Sequence, residues 1–461
     1  MKDRPVQEAA LYRWRAKEDE LQRYDMMFLK GLGLTAMLLV AGCAQQSSQA
    51  PPTARGTQYP YTTAVAVSAT DTQAQIAQRY GGTVLVWQPD AGLAVLGLTH
   101  APDSKRLQAL GLTDLPVIEP NQNVYDASGT ASAWAGQDPH LDAAGRAYVW
   151  SGGRAYVWSG GRAYVWSGGN GVVGGLSENS EAWNQIGLPA AWAAAPKLGE
   201  GVKVAVIDSG IDLNHEMFQG SLVDPADRWD FVGNDPVPQE EGGFTDEAFG
   251  HGTNVAGIVL QIAPHAKIMP LRVLSPDGSG DATTVAQAIN FAVMHGAQVI
   301  NLSLGSVEKA DVIQKMITFA NSKGINVVAS SGNTGDERIT FPAQQADGKY
   351  AMSVGSVDHG DHKSSFSTYG DKLDVTAPGE MVWGPVPGNL CSYWSGTSMA
   401  APMVAGSVAL ARGQSLAVKP EELTDTLLRM SKDIQPLNPK YGKKLKRRLD
   451  VGRFIQAVTL P

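Results

Sequence analysis

Three side chains that can cooperate in nucleophilic catalysis stand at the ends of predicted elements. Asp208 directly follows an apolar run at 202–207 that is typical of a buried strand. His251 lies between two glycines where a helix is predicted to begin, and Ser398 precedes an apolar helical run at 399–410. A histidine can take the proton of a serine hydroxyl that attacks a carbonyl, while a carboxylate orients the imidazole. Taken singly, the three are ordinary strand-end or helix-start residues, so a catalytic serine is predicted only if they act together.

The elements that must position these residues alternate between strands and helices. Predicted helices at 281–295 and 309–323 each end at a glycine, and a strand-like segment at 381–394 leads to Ser398. This alternation predicts an α/β fold, a mostly parallel sheet flanked by helices, with functional side chains at the carboxyl ends of the strands. The other predicted strands are 202–207, 268–273, 299–304, 327–330 and 352–356.

Four sequence blocks carry a specific resemblance. They contain Asp208, His251 in Gly-His-Gly-Thr-Asn-Val-Ala-Gly, Asn333 in Ala-Ser-Ser-Gly-Asn-Thr-Gly, and Ser398 in Gly-Thr-Ser-Met-Ala-Ala-Pro. In this order they resemble the subtilase family of serine proteases over residues 181–461. The resemblance implies a subtilisin-like fold and a serine endopeptidase that forms an acyl-enzyme on Ser398. It also assigns the oxyanion hole to the Asn333 amide and the Ser398 N–H.

The resemblance further assigns residues that bind an extended polypeptide substrate. Ser303, Leu304 and Gly305 would pair with the substrate and wall its first pocket, and Gly278 and Gly280 would form the opposite edge. Pairing through the main chain gives affinity without sequence preference, so broad specificity is expected.

Composition excludes several other classes of protein. The net charge of −8 argues against nucleic acid as a partner, and two cysteines exclude a disulfide framework. Cys391 is predicted to be a buried small hydrophobe, and the basic cluster 440–448 a solvated loop. The acidic loop Asn234–Glu247 could hold calcium but lacks a ligand pattern, so a solvated loop is favoured. We therefore predict no metal site and no required cofactor.

A small unit precedes the part that resembles subtilases. Residues 58–126 have the predicted order strand-helix-strand-strand-helix-strand, which is ferredoxin-like. The last strand, Val117–Tyr125, resembles the tail of a subtilase propeptide, which implies an inhibitor-like unit acting on its own chain. A small independent α+β domain is the alternative. The predicted elements are strands 63–68, 83–87, 93–98 and 117–125 and helices 71–80 and 104–110.

The chain begins with segments that indicate export. Residues 1–25 are dense in charge, and we expect a mis-assigned start with translation from Met26 or Met27. Residues 26–43 resemble a bacterial lipoprotein signal, which implies that Cys43 becomes the lipid-modified N-terminus. An ordinary secretory signal is the alternative. Residues 44–57 form a polar tether.

A linker at 127–180 contains one block, Arg-Ala-Tyr-Val-Trp-Ser-Gly-Gly, three times in tandem over 146–169. A linker lengthened by duplication is the favoured interpretation. Tyr-Val-Trp also favours β structure, so an adhesive hairpin or a self-cleavage region are the alternatives.

Together these segments predict a self-processing zymogen that is exported and anchored in a membrane through Cys43. Its catalytic part would be freed into the extracellular or periplasmic space by cleavage between Tyr125 and Glu181. A non-catalytic lipoprotein that binds peptides on the same fold is the competing hypothesis.

Overall fold

The computed structural model describes residues 59–102, 107–108, 116–121, 123–126, 177–243, 245–414 and 418–459. The predicted leader, Cys43, the tether and the tandem repeats lie outside the described residues.

A nine-stranded sheet forms the centre of the larger part of the chain. In spatial order its strands are β17 (Lys432–Asp433), β18 (Arg447–Arg448), β14 (Val375–Pro378), β13 (Ala351–Val357), β12 (Asn326–Ser330), β10 (Val299–Leu302), β6 (Lys203–Asp208), β8 (Lys267–Arg272) and β7 (Trp229–Asp230). Every neighbouring pair is parallel except β17 and β18. The sheet therefore confirms the predicted α/β class.

Helices cover both faces of this sheet. Along β6, Val204 and Val206 belong to one apolar core, while Ala205 and Ile207 belong to another. Because successive side chains of a strand point to opposite faces, both faces of the sheet are buried. The helices in this part are α2 (Ser180–Gln185), α3 (Leu188–Ala194), α4 (His251–Ile262), α5 (Ala282–Met294), α6 (Asp311–Ser322), α7 (Thr397–Gln414), α8 (Pro420–Met430) and α9 (Val451–Thr459).

The N-terminal unit is a four-stranded antiparallel sheet of order β2-β3-β1-β4. Its elements are β1 (Tyr61–Ala66), α1 (Gln73–Tyr80), β2 (Thr83–Gln88), β3 (Leu93–Leu98) and β4 (Ile118–Pro120). Thr72 and Gln75 form a reciprocal capping box at the start of α1, and Ile76 and Leu96 lie in a separate core. This strand order is that of a ferredoxin-like fold. Of the predicted second helix, 104–110, only residues 107–108 belong to the described part of the chain, and the rest lies outside it.

Two predicted strands differ from the structure. The expected strand 117–125 is divided into β4 and β5 (Asn123–Asp126), and β5 joins another sheet. The expected strand 381–394 is a hairpin of β15 (Val382–Val386) and β16 (Leu390–Trp394). It turns at Gly388 and Asn389, which both have positive φ.

The prediction of a solvated loop at 440–448 is wrong at its end. Arg448 is buried and its Nε donates to Asp361 Oδ1 at 2.9 Å. Among the described residues, no helix is both long and apolar enough to cross a membrane.

Candidate active site

Asp208 and His251 form a buried hydrogen-bonded pair. Asp208 is the last residue of β6, and its Oδ1 lies 2.7 Å from His251 Nδ1. The same oxygen accepts from the Ser209 N–H at 2.8 Å. The exposed fraction of the side chain is 0% for His251 and 1% for Asp208. Because an ion pair or hydrogen bond is stronger out of water, this burial favours a fixed ring orientation for His251.

The backbone before and inside the first turn of α4 sets the position of His251. Gly250 precedes the helix with φ of +97°, a conformation that L side chains rarely adopt. At Gly252 an added Cβ would lie 2.1 Å from Gly210 O, so only glycine fits there. The two glycines beside His251 therefore let the helix begin against the loop that follows Asp208.

Ser398 is the second residue of α7 and is buried. Pro402, four residues later, has no N–H to donate to the Ser398 carbonyl. Ser303 supplies the missing donor, because its Oγ donates to Ser398 O at 2.9 Å. In return the Ser398 Oγ lies 3.4 Å from Ser303 O. Helices α4 and α7 pack against each other, which brings the elements of His251 and Ser398 together.

The side-chain amide of Asn333 is oriented by the residue before Ser398. Asn333 Oδ1 accepts from Thr397 N at 2.9 Å and from Thr397 Oγ1 at 3.0 Å. Thr397 Oγ1 in turn accepts from the Gly332 N–H at 3.1 Å. The Asn333 Nδ2 is shielded from solvent and has no hydrogen-bond partner in the described part of the chain. Fixing Oδ1 in this way leaves the N–H donors of Nδ2 for a ligand.

Three of the five predicted substrate-binding residues, Leu304, Gly305 and Gly280, lie on two short strands. Leu304 and Gly305 form β11, which pairs with β5 through Leu304↔Asp126 and Gly305↔Tyr125. On the other side β9 (Ser279–Asp281) pairs with β5, with Gly280 opposite Val124. The chain's own β5 therefore runs antiparallel between these two strands.

Gly278 and the two cysteines are the other residues for which the sequence predicts a position or a role. Gly278, at φ of +80°, turns the chain into β9, and its N–H donates to Ser275 O at 2.9 Å. Cys43 lies outside the described residues. Cys391 is partly buried in β16, and this burial raises the pKa of its thiol to about 11, which keeps it a neutral small side chain.

Sequence reasoning missed a buried acid close to Asp208 and His251. Glu240 lies in the loop 234–247, for which we expected solvation, yet it is 4% exposed. Burial and the nearby charge of Asp208 raise the pKa of its carboxyl to about 7. Within the part of the chain that the structure describes, no group of three or more His, Cys, Asp or Glu side chains is arranged to hold a metal ion.

The sequence profile of the subtilase family matches residues 199–445. Thermitase from Thermoactinomyces vulgaris is 40% identical over 240 residues, which are 50% of this chain and 81% of that protein. Subtilisin Savinase from Lederbergia lenta is 38% identical over 224 residues, 46% of this chain and 77% of that protein. An alkaline protease from Alkalihalobacillus alcalophilus is also 38% identical, but only 54% of its length is spanned.

One solved structure is described as a cold adapted subtilisin-like serine proteinase. It is 30% identical in sequence and covers 54% of this chain and 89% of its own, with a TM-score of 0.48.

Proposed function

Because this chain belongs to the subtilase family and is a serine endopeptidase, we propose that it cuts peptide bonds through an acyl-enzyme on Ser398 and is made as a self-processing zymogen. The observation that carries the catalytic part is the 2.7 Å hydrogen bond between His251 Nδ1 and Asp208 Oδ1. Because Nδ1 faces Asp208, we assign the proton transfer to the other ring nitrogen, Nε2.

In the proposed reaction, Ser398 Oγ attacks the substrate carbonyl carbon while His251 Nε2 takes the hydroxyl proton. Asp208 stabilises the imidazolium that forms. The imidazolium then gives its proton to the departing amine, which leaves an acyl group on Ser398. Water releases this acyl group with His251 again as the base. Every step uses water and groups of this chain, so the proposed reaction requires no cofactor.

Asn333 supplies a donor to the oxyanion in this proposal. Its Oδ1 is held by Thr397, the residue directly before the attacking serine, and its Nδ2 has no partner among the described residues. An amide fixed in advance can donate to the developing negative charge without a cost of reorganisation. The Ser398 N–H is the second proposed donor, at the N-terminal end of α7 where free N–H groups are expected.

The zymogen part of the proposal is supported by β5. This strand belongs to the polypeptide upstream of the family match and pairs with β11 and β9 as an extended peptide would. Leu304, which pairs with Asp126, is the neighbour of Ser303, whose carbonyl lies 3.4 Å from Ser398 Oγ. The C-terminal end of β5 therefore lies beside the catalytic centre, and we propose that the protein cuts itself shortly after this strand.

The order of segments then gives a role to Cys43. If Cys43 carries lipid, the anchor lies upstream of the N-terminal unit, so cleavage after β5 separates the catalytic part from the membrane. We propose an exported, membrane-anchored precursor whose catalytic part is released.

The test compares the wild type with Ser398→Ala, both expressed in a bacterium. A fluorophosphonate probe should label the wild type and not the variant. The variant should stay full length and in the membrane fraction, whereas the wild-type catalytic part should appear in the soluble fraction. A labelled wild-type chain that still carries covalent lipid would refute release but not catalysis. Absence of labelling in a folded wild-type chain would refute the acyl-enzyme.

A further inference from the structure

Glu240 occupies a buried position between the two segments that carry Asp208 and His251. Its backbone N–H donates to Ile211 O at 2.9 Å, and the Ile211 N–H donates to Pro238 O at 3.0 Å. These bonds attach the chain around Glu240 to the loop that follows β6. The carboxyl group is thereby enclosed between this loop and the N-terminal end of α4.

Each carboxylate oxygen accepts two hydrogen bonds. Oε1 accepts from Ser209 Oγ at 2.5 Å and from the Gly250 N–H at 2.9 Å. Oε2 accepts from the Thr253 N–H at 3.1 Å and also from the Thr253 hydroxyl. The donors are the residue after Asp208 and residues on both sides of His251.

The two hydroxyls extend this network to further amides. Ser209 Oγ accepts from the Gly252 N–H at 2.9 Å, and Thr253 Oγ1 accepts from the Asp212 N–H at 2.8 Å. One carboxylate and two hydroxyls therefore connect residues 208–212 with the first turn of α4. This turn would otherwise bury N–H groups that have no partner within the helix.

We propose that Glu240 is a positioning residue that fixes the distance and orientation between Asp208 and His251. It acts through Ser209, Gly250 and Thr253 and does not touch the substrate. The proposal rests on the catalytic roles proposed above for Asp208 and His251.

The geometry requires a carboxylate rather than an amide. Each oxygen of Glu240 faces one backbone N–H, from Gly250 on one side and from Thr253 on the other. Glutamine has one oxygen and one NH₂ group, so in either orientation its NH₂ would meet a backbone N–H. Glu240→Gln keeps the size of the side chain but replaces one accepted bond by a contact between two donors.

The test compares full-length Glu240→Gln with the wild type and with Glu241→Gln as a matched control. Glu241 is the next residue, its side chain is 64% exposed, and it pairs with Arg272 at 2.9 Å. Active sites are counted by fluorophosphonate labelling, and kcat and KM are then measured on a chromogenic peptide amide. Dividing the rate by the number of labelled sites leaves misfolded protein out of the calculated kcat.

For Glu240→Gln we expect kcat per labelled site to fall about 10- to 100-fold with KM within about twofold, because a misplacement near 1 Å can cost ~10²-fold. Glu241→Gln should change neither constant by more than about twofold. A kcat for Glu240→Gln within twofold of the wild type, or a loss confined to KM, would overturn the proposal.

Ser209→Ala gives an answer even if Glu240→Gln does not fold. It removes one of the four bonds and the acceptor of the Gly252 N–H, but it leaves the carboxylate in place. We expect a smaller fall in kcat per labelled site, about 3- to 10-fold, as for one lost hydrogen bond. An unchanged kcat would overturn the proposal. A folded wild-type chain that is not labelled would instead reject the catalytic role of Ser398.

Discussion

Replacing Asn333 by alanine removes an amide whose orientation the structure explains. Asn333 Oδ1 accepts two bonds from Thr397, and Nδ2 has no partner among the described residues. In the proposed reaction Nδ2 donates to the oxygen only once that oxygen becomes negative. The variant should therefore bind substrate as the wild type does and lose stabilisation of the transition state.

The expected loss for Asn333→Ala is about 10²–10³ in kcat, or about 2.7–4 kcal/mol, a range measured for this kind of donor in a subtilisin and carried over from that relative. Thr397→Val should cost less. It removes the 3.0 Å hydroxyl bond to Oδ1 and the acceptor of the Gly332 N–H, but it keeps the 2.9 Å bond from Thr397 N to Oδ1. One neutral hydrogen bond contributes about 0.5–1.5 kcal/mol, so kcat should fall about 2- to 12-fold.

The assay measures kcat and KM on a chromogenic peptide amide, normalised to the sites labelled by a fluorophosphonate. Asn321→Ala, which removes an amide near the end of α6, serves as the control. A kcat for Asn333→Ala within about fivefold of the wild type would refute the assigned donor. A larger loss in Thr397→Val than in Asn333→Ala would refute the argument that Thr397 acts through Asn333.

Three further predictions concern pH, self-cleavage and the N-terminal unit. Burial and the charge of Asp208 raise the pKa of Glu240 from 4.5 to about 7, so its contribution to stability is present below pH 4.5 and is lost as the pH rises through about 7. Denaturant unfolding at several pH values should show this loss, on the order of 3 kcal/mol, in the wild type and not in Glu240→Gln. N-terminal sequencing of the processed protein should find a cut within two residues after Asp126; a first cut inside 146–169 would contradict the register of β5. Glu119 Oε2 accepts from the Asp311 N–H at 2.9 Å, and its Oε1 accepts from the Val312 N–H at 3.0 Å. Glu119→Ala should therefore weaken binding of the cleaved N-terminal fragment to the catalytic part by about 0.5–2 kcal/mol. Less of the fragment should then co-purify with the catalytic part.

The sequence predicts those parts of the fold that depend on local pattern. The apolar run 202–207 corresponds to β6, and the helical spacing of 281–295 corresponds to α5, shorter by one residue at each end. A buried parallel strand and an amphipathic helix are determined by the types of nearby residues, so one chain segment is enough to predict each.

The hairpin of β15 and β16 shows how a local signal can be overlooked. Gly388 and Asn389 have φ of +86° and +60°, left-handed values that favour glycine and asparagine in the three-residue loop, 387–389, that joins the two strands. The Gly-Asn pair was present in the strand-like segment 381–394. Apolar residues on both sides of it made the segment resemble one continuous strand.

Glu240 could not be predicted in the same way. Its neighbours in the loop include Asp235, Glu241 and Asp246, and such a composition predicts solvation. Its burial depends on Ser209, 31 residues away, and on Thr253, 13 residues away. A sequence read segment by segment contains no sign that these two hydroxyls meet at one carboxylate.

Two kinds of polar contact join the N-terminal unit to the catalytic part, and they differ in what can replace them. Main-chain pairing holds β5, so any extended peptide can make the same bonds with β11 and β9. Side chains hold the rest of the N-terminal unit. Glu119 accepts hydrogen bonds from the first N–H groups of α6. Asn121 accepts from the Thr283 N–H at 3.1 Å and donates to Asp281 Oδ1 at 3.0 Å. In the proposed zymogen, a substrate can compete for the strand positions after the cut that follows β5, but it cannot compete for these caps. The lifetime of the inhibited complex should therefore depend more on Glu119 and Asn121 than on the sequence of β5.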